Sequence, residues 1–258
     1  MSDFLTTLSP IELVDGVYLK RNDKLTIYDV NGGKAQGAYY LIQEAKRLGK
    51  KGVVSCGSRH SPQCKLVGKI SYYEGVDCHL FLPIGPETDT IVEVSKLSNC
   101  TLHRLNKGYT SQIIKGARDF SILNDYYLIP FGMKCKENIN IIAKQCANIP
   151  NTIKRVVVPI GSGVTFCGVL KGVHDYKLNC EVIGVQTGAL SEDFINQNKP
   201  ILNSVKYKIY TFEPNLIPKD RYATMVDASI GDVKLNPIYE AKCREFIQPG
   251  DLFWIVAK

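Results

Sequence analysis

The chain has 258 residues, 45% of them hydrophobic and 22% charged, with a formal net charge of +7. That is the make-up of an ordinary globular protein of one large or two modest domains, and it excludes disordered, collagen-like and repeat architectures. The longest charge-free apolar stretch, residues 156–170, is too short for a membrane span and is interrupted by Pro159, Gly161, Gly163 and Gly168.

Short β-branched runs alternate with amphipathic helical windows, the pattern of an α/β chain with largely parallel sheets. Ala38, Leu41, Ile42, Ala45 and Leu48 form a helical stripe that stops at Gly49. Gly52–Cys56 reads as a buried strand, followed by a polar turn and a helix near 62–75. Strand 77–82, helix 88–98, strand 101–105, helix 111–124 and strand 126–129 follow, the last closed by Pro130. Helix 137–148 leads to a valine-rich strand at 155–158, a glycine-rich turn, a helix near 165–174 and strand 180–186. Beyond it Pro200, Pro214, Pro218 and Pro237 punctuate a more irregular region, and a last strand at 252–256 comes after Pro249-Gly250.

Nine cysteines are scattered without a CxxC pair or a zinc-type Cys/His spacing, so they read as thiols in a reducing compartment, and no metal is expected. The first residues lack the basic-then-apolar pattern of a signal peptide, which points to a cytoplasmic protein. Residues 131–180 carry +5 of the net charge, through Lys134, Lys136, Lys144, Lys154, Arg155, Lys171 and Lys177. Such a face attracts phosphate or nucleic acid, or is simply solvated; no nucleic-acid-binding motif accompanies it.

Four segments carry chemistry. Asn31-Gly32-Gly33-Lys34 precedes the first amphipathic helix, where the positive end of the helix dipole favours a neutral lysine amine; the same lysine also reads as solvated surface. Ser55 to Ser61, with Ser58, Arg59 and His60, joins a strand to a helix and offers either an anion site or an ordinary capping turn. Gly161, Ser162, Gly163, Val164 and Thr165 follow the valine-rich strand. Glycines there let backbone amides close on a phosphate, and the hydroxyls add donors, although the segment is neither a Walker A loop nor a full dinucleotide fingerprint. Asn236-Pro237-Ile238-Tyr239-Glu240 starts a helix with Asn236 as cap and sets Tyr239 and Glu240 near its positive end.

Taken in order, and preceded by Val17-Tyr18-Leu19-Lys20-Arg21-Asn22-Asp23, these segments resemble the fold-type II pyridoxal-phosphate enzymes, in the branch of 1-aminocyclopropane-1-carboxylate deaminase and D-cysteine desulfhydrase. The resemblance implies a tryptophan-synthase-β-like fold: two open, twisted, mostly parallel sheets flanked by helices, with the cofactor, pyridoxal 5'-phosphate, between domains. Residues 1–36 with 133–258 would form the larger, cofactor-binding domain and 37–132 the smaller. Lys34 falls on the lysine that forms the Schiff base. Gly161, Ser162, Gly163, Val164 and Thr165 fall on the loop that holds the cofactor phosphate, and Glu240 on the acid beside the pyridine nitrogen. Ser58 matches a serine facing the substrate carboxylate or Schiff-base region, Tyr239 a tyrosine near the reacting carbons, and His60 suits the desulfhydrase-like Ser-Asn-His pattern. Arg59 stands where an Asn contacts the cofactor's ring oxygen, and Gly33 and Ala35-Gln36-Gly37 replace the usual flanks of the lysine.

The activity so implied is carbanion chemistry at Cα of an amino acid or amine: deamination, β-elimination or desulfhydration. Two further readings stay open at this point. Short viral relatives suggest an enzyme that processes, for example by decarboxylation, an amino-acid group attached to a modified DNA base. The altered flanks of Lys34 also suit a non-catalytic pyridoxal-phosphate-binding protein. A homodimer is implied by the resemblance.

Overall fold

The computed structural model describes residues 3–59, 62–106, 110–188, 192–198 and 204–256. In chain order the strands and helices begin with β1 (Ile11–Val14), β2 (Val17–Arg21), β3 (Thr26–Ile27), β4 (Val30–Asn31), α1 (Ala35–Arg47), β5 (Gly52–Cys56) and α2 (Pro62–Tyr73). They continue with β6 (Asp77–Pro83), α3 (Asp89–Ser95), β7 (Cys100–Leu105), α4 (Thr110–Asn124), β8 (Tyr127–Ile129) and α5 (Lys136–Lys144). Next come β9 (Arg155–Ile160), α6 (Val164–Asp175), β10 (Glu181–Gln186), α7 (Glu192–Gln197), β11 (Tyr207–Thr211) and α8 (Pro218–Ala223). The short pair β12 (Ser229–Ile230) and β13 (Val233–Lys234) and the final β14 (Leu252–Ile255) complete the set. Among the described residues no helix is long and apolar enough to cross a membrane.

The chain forms two compact units, one of residues 1–25 and 134–258 and one of residues 26–133. The β3–β4 hairpin and Lys34 belong to the second unit, with α1 packed on β3 and α2 on β4, so the first boundary lies after residue 25 and not after residue 36.

In the first unit the sheet order is β1-β2-β14-β9-β10-β11, parallel throughout except for the β1–β2 hairpin. Alternation along β9 and β14 builds a core on each face. Val156, Val158, Ile160, Leu252 and Trp254 point into the cluster with α5 and α6, whereas Val157, Phe253 and Ile255 point into one with Leu235, Ala241 and Cys243. α6 lies so close to α5 and the turn after it that a Cβ on Gly172 would meet Cys146 Sγ and the Ala143 carbonyl, and one on Gly168 would meet Ile142 at 2.5 Å. Only glycine permits that approach.

The second unit holds the all-parallel sheet β7-β6-β5-β8. Leu80 faces Gly68 of α2, while Phe81 joins Val54 and Cys56 against Ile113 and Ala117 of α4. These are parallel sheets flanked by helices, as the sequence pattern predicts. All nine cysteines are free thiols, and the described residues contain no cluster of three or more potential metal ligands.

Candidate active site

In each sheet one strand is where the order of connections reverses, and in open α/β sheets ligands bind beyond the carboxyl end of that strand. In the second unit it is β5: the chain moves to β6 and β7 on one side of it, then returns to β8 on the other. In the first unit it is β9, with β10 and β11 on one side and β14 on the other. The Ser58 segment leaves the end of β5 and the glycine-rich segment leaves the end of β9.

Lys34 is half-buried and stands immediately before α1, with Gly32 at φ 125° turning the chain out of β4. Its carbonyl accepts the N–H of Ala38 at 2.9 Å, so its backbone already belongs to the first turn. Ser58 and Arg59 are half-buried. Below them Ser55 Oγ donates to the Ile129 carbonyl at 3.1 Å, and Gln63 Nε2 donates to Ser55 Oγ and to the Pro130 carbonyl, both at 2.9 Å. The root of the loop is thereby tied to β8. Arg59 Nη1 donates to the Pro86 carbonyl at 2.7 Å, and its guanidinium lies against Gly85, leaving no room there for a Cβ. Thr88 Oγ1 donates to the Arg59 carbonyl at 2.7 Å. Arg59 is thus committed to the β6–α3 loop. His60 lies outside the described residues.

In the first unit Gly161 and Ser162 are half-buried, and Gly163 caps α6 in the left-handed region at φ 89°. The Cys167 N–H is bonded to the Gly163 carbonyl at 3.0 Å, which leaves the amides of the preceding turn without helical acceptors. Val164 is buried and Thr165 half-buried at this head. Gly161 faces the ring of Tyr239, where a Cβ would come within 3.0 Å of it. Glycine loop and tyrosine therefore meet, although they are far apart in sequence.

Asn236 does cap its segment, with Oδ1 accepting from the N–H groups of Ile238 at 3.0 Å and Tyr239 at 3.3 Å. The chain turns there and runs on as a 3₁₀ helix over Glu240–Phe246, in place of an α-helix starting at Pro237. Glu240 is fully buried at 0% exposure, and its Oε1 accepts the Val256 N–H at 2.7 Å. Burial, the Tyr222 phenol and the Glu240 charge together push the Tyr239 phenol well above its ordinary range.

Two residues of this region carry no local signal in the sequence. Tyr222 OH lies 2.9 Å from Tyr239 OH, and the buried Lys242 holds the end of α8, from which Tyr222 projects. The Lys20-Arg21-Asn22-Asp23 run is buried and bonded within the fold. Arg21 forks onto Asp23 at 2.9 and 2.8 Å and reaches Glu12 at 2.6 Å. Of the basic segment, Lys171 pairs with Asp175 at 2.6 Å and Arg155 bonds Gln248, so both are engaged within the fold.

Residues 5–226 match the family described as pyridoxal-phosphate dependent enzyme. A Thermotoga maritima protein named provisionally as a 1-aminocyclopropane-1-carboxylate deaminase is 23% identical, over 88% of this chain and 81% of its own length. Among solved structures, an ACC deaminase homologue superposes with a TM-score of 0.81 at 17% identity, covering 98% of this chain and 90% of its own. The processed form of threonine deaminase isoform 2 from Solanum lycopersicum reaches 0.67, also at 17% identity, covering 96% and 83%. The fold is therefore that of the fold-type II enzymes.

Proposed function

The chain belongs to the pyridoxal-phosphate dependent enzymes, and from that premise we propose that it deaminates, or eliminates a β-substituent from, a small amino acid, with Lys34 as the residue that attaches the cofactor. The residues present fit the group: Gly161 and Gly163 supply a side-chain-free cradle at the head of α6, at the reversal point of its sheet. Pyridoxal phosphate, when bound, supplies an aldehyde that condenses with amines and a ring that takes up the electrons of a carbanion at Cα.

The remaining roles belong to the chain. Amides of the 161–165 turn, with the hydroxyls of Ser162 and Thr165, hold the phosphate dianion, which the helix dipole also favours. The buried Glu240 carboxylate, fixed by the Val256 N–H, keeps the ring nitrogen protonated. Lys34 would hold the group through its Nζ, and the same amine would carry the Cα proton. Ser58 donates to the substrate carboxylate. Tyr239, kept as a neutral phenol by its surroundings, delivers a proton at the substrate's reacting carbons. Arg59, held at Pro86, shapes the Ser58 loop instead of touching the cofactor ring.

The observation that carries this reading is the contact of Tyr239 with the glycine loop, next to a buried glutamate. The test is an absorbance spectrum of the purified protein with pyridoxal phosphate, followed by borohydride and peptide mapping. The expected result is a visible band whose reduction leaves the cofactor's mass on Lys34. Lys34→Ala should lose both the mark and all release of ammonia and 2-oxo acid across an amino-acid panel. A Lys34→Ala protein of full activity would end the proposal.

A further inference from the structure

Lys242 is 1% exposed, yet among the described residues no carboxylate lies within ion-pair distance of its Nζ. Its ammonium donates instead to three main-chain carbonyls, those of Arg221 at 2.6 Å, Tyr222 at 3.1 Å and Thr187 at 3.3 Å. The rings of Phe212 and Tyr222 lie 5.8 and 6.0 Å from it, turning their electron-rich faces to the charge. Arg221, also buried, is used in the same way, bonding the carbonyls of Glu213, Gly188, Pro214 and Leu216.

Among the described residues these two buried cations have no acid partner, and together they gather seven carbonyls from residues 187–188 and 213–222, a stretch in which the short α8 is the regular structure. Burying an ammonium costs several kcal/mol in general, and burial pulls Lys242 down to about 8. A hydrophobic residue would fill the same space at less expense, so the charge has another use. What it organises is the end of α8 carrying Tyr222, whose ring packs on Gly188 and whose hydroxyl meets that of Tyr239.

We propose that the Lys242 ammonium is a built-in cation that positions Tyr222, and through it Tyr239. Lys242 is a positioning residue, removed from the reacting atoms by two side chains, and its relevance to turnover rests on the proposed role of Tyr239.

The test follows Tyr239 directly in the pyridoxal-phosphate-loaded protein, through the ring-carbon NMR signal of ¹³C-labelled tyrosine, assigned with Tyr239→Phe. In Tyr222→Phe the signal moves, because the phenol partner is gone. Lys242→Met should move it in the same direction by roughly half that change or more, and the Lys242→Met/Tyr222→Phe double variant should be no further displaced than Tyr222→Phe alone. Lys242→Gln keeps two N–H donors and fills the space, so it isolates the charge and serves if the methionine protein does not fold; it too should move the signal. Where a substrate is turned over, kcat falls roughly tenfold with KM little changed.

An unmoved Tyr239 signal in both Lys242 variants, or displacements that simply add in the double variant, overturns the proposal. The signal is read whether or not the protein is active, so an inert-but-harmless Tyr239→Phe would sink the catalytic reading and leave the positioning intact.

Discussion

Lys20 shows what a buried charge costs where nothing is catalysed. It is 0% exposed and donates to the Ser9 carbonyl at 2.9 Å and to Asn148 Oδ1 at 2.6 Å, with the Trp254 ring 5.9 Å away. Burial lowers its pKa from the ordinary 10.5 to about 8. Below the folded value both states are protonated and the fold bears the full cost of the ammonium; between the two values the unfolded chain binds more protons, so stability rises with pH. Over that window the gain from this group approaches about 3 kcal/mol. Buried thiols such as Cys56 and Cys167, pushed up by burial, work the other way above neutrality, so the effect has to be read as a difference. Wild type measured against Lys20→Met by urea unfolding should gain relative stability from pH 8 towards 10.5. A flat difference would mean that Lys20 is not buried as a cation. Like the role of Lys242, this is illegible in the sequence, since each lysine's partners come from distant segments and leave no local spacing.

At the scale of elements, the helical glycines of α6 make an opposite prediction to propensity. Alanine in place of a helix-interior glycine ordinarily stabilises by about 1 kcal/mol. At Gly172 the new methyl would meet Cys146 Sγ, and the Ala143 carbonyl at 2.7 Å, so Gly172→Ala should instead destabilise by about 1–3 kcal/mol through overpacking. Chemical denaturation checks the sign. A stabilised Gly172→Ala would show that α5 and α6 can separate freely.

Most elements are legible because pattern and environment agree. The stripe ending at Gly49 is α1, and the valine-rich run is β9, doubly buried as a continuous apolar run implies. Where tertiary contacts decide, the pattern misleads. The helix expected over 137–148 stops at Lys144 and tightens into a 3₁₀ turn, where Gln145 bonds Ser9 and Thr7, and Asn148 bonds Ser9 and Lys20. Periodicity also does not reveal the hairpin β1–β2, whose first strand is short and half-exposed. Its signal lies in Asp15-Gly16, both at positive φ, the pair that a two-residue hairpin turn requires.

For the whole molecule, strand order decides what the chain ends mean, and no local reading supplies it. The last strand to be synthesised, β14, lies inside the first unit's sheet between β2 and β9. Leu252, Phe253, Trp254 and Ile255 are each at most 2% exposed and divide between the two cores. The next residue supplies the N–H that fixes Glu240. A strand so placed is not dispensable, whatever its position in sequence. Removing residues 252–258 should strip both cores at once and leave β2 and β9 without their shared neighbour. The expected outcome is loss of protection in amide exchange across β2, β9 and β10, with no binding of pyridoxal phosphate. Trp254→Ala, a milder form of the same injury, should cost about 3–5 kcal/mol and still bind the cofactor, because Trp254 packs on the α5–α6 face whereas Glu240 is held from Val256. A truncated protein that keeps exchange protection in β9 would mean that the sheet closes without its central strand.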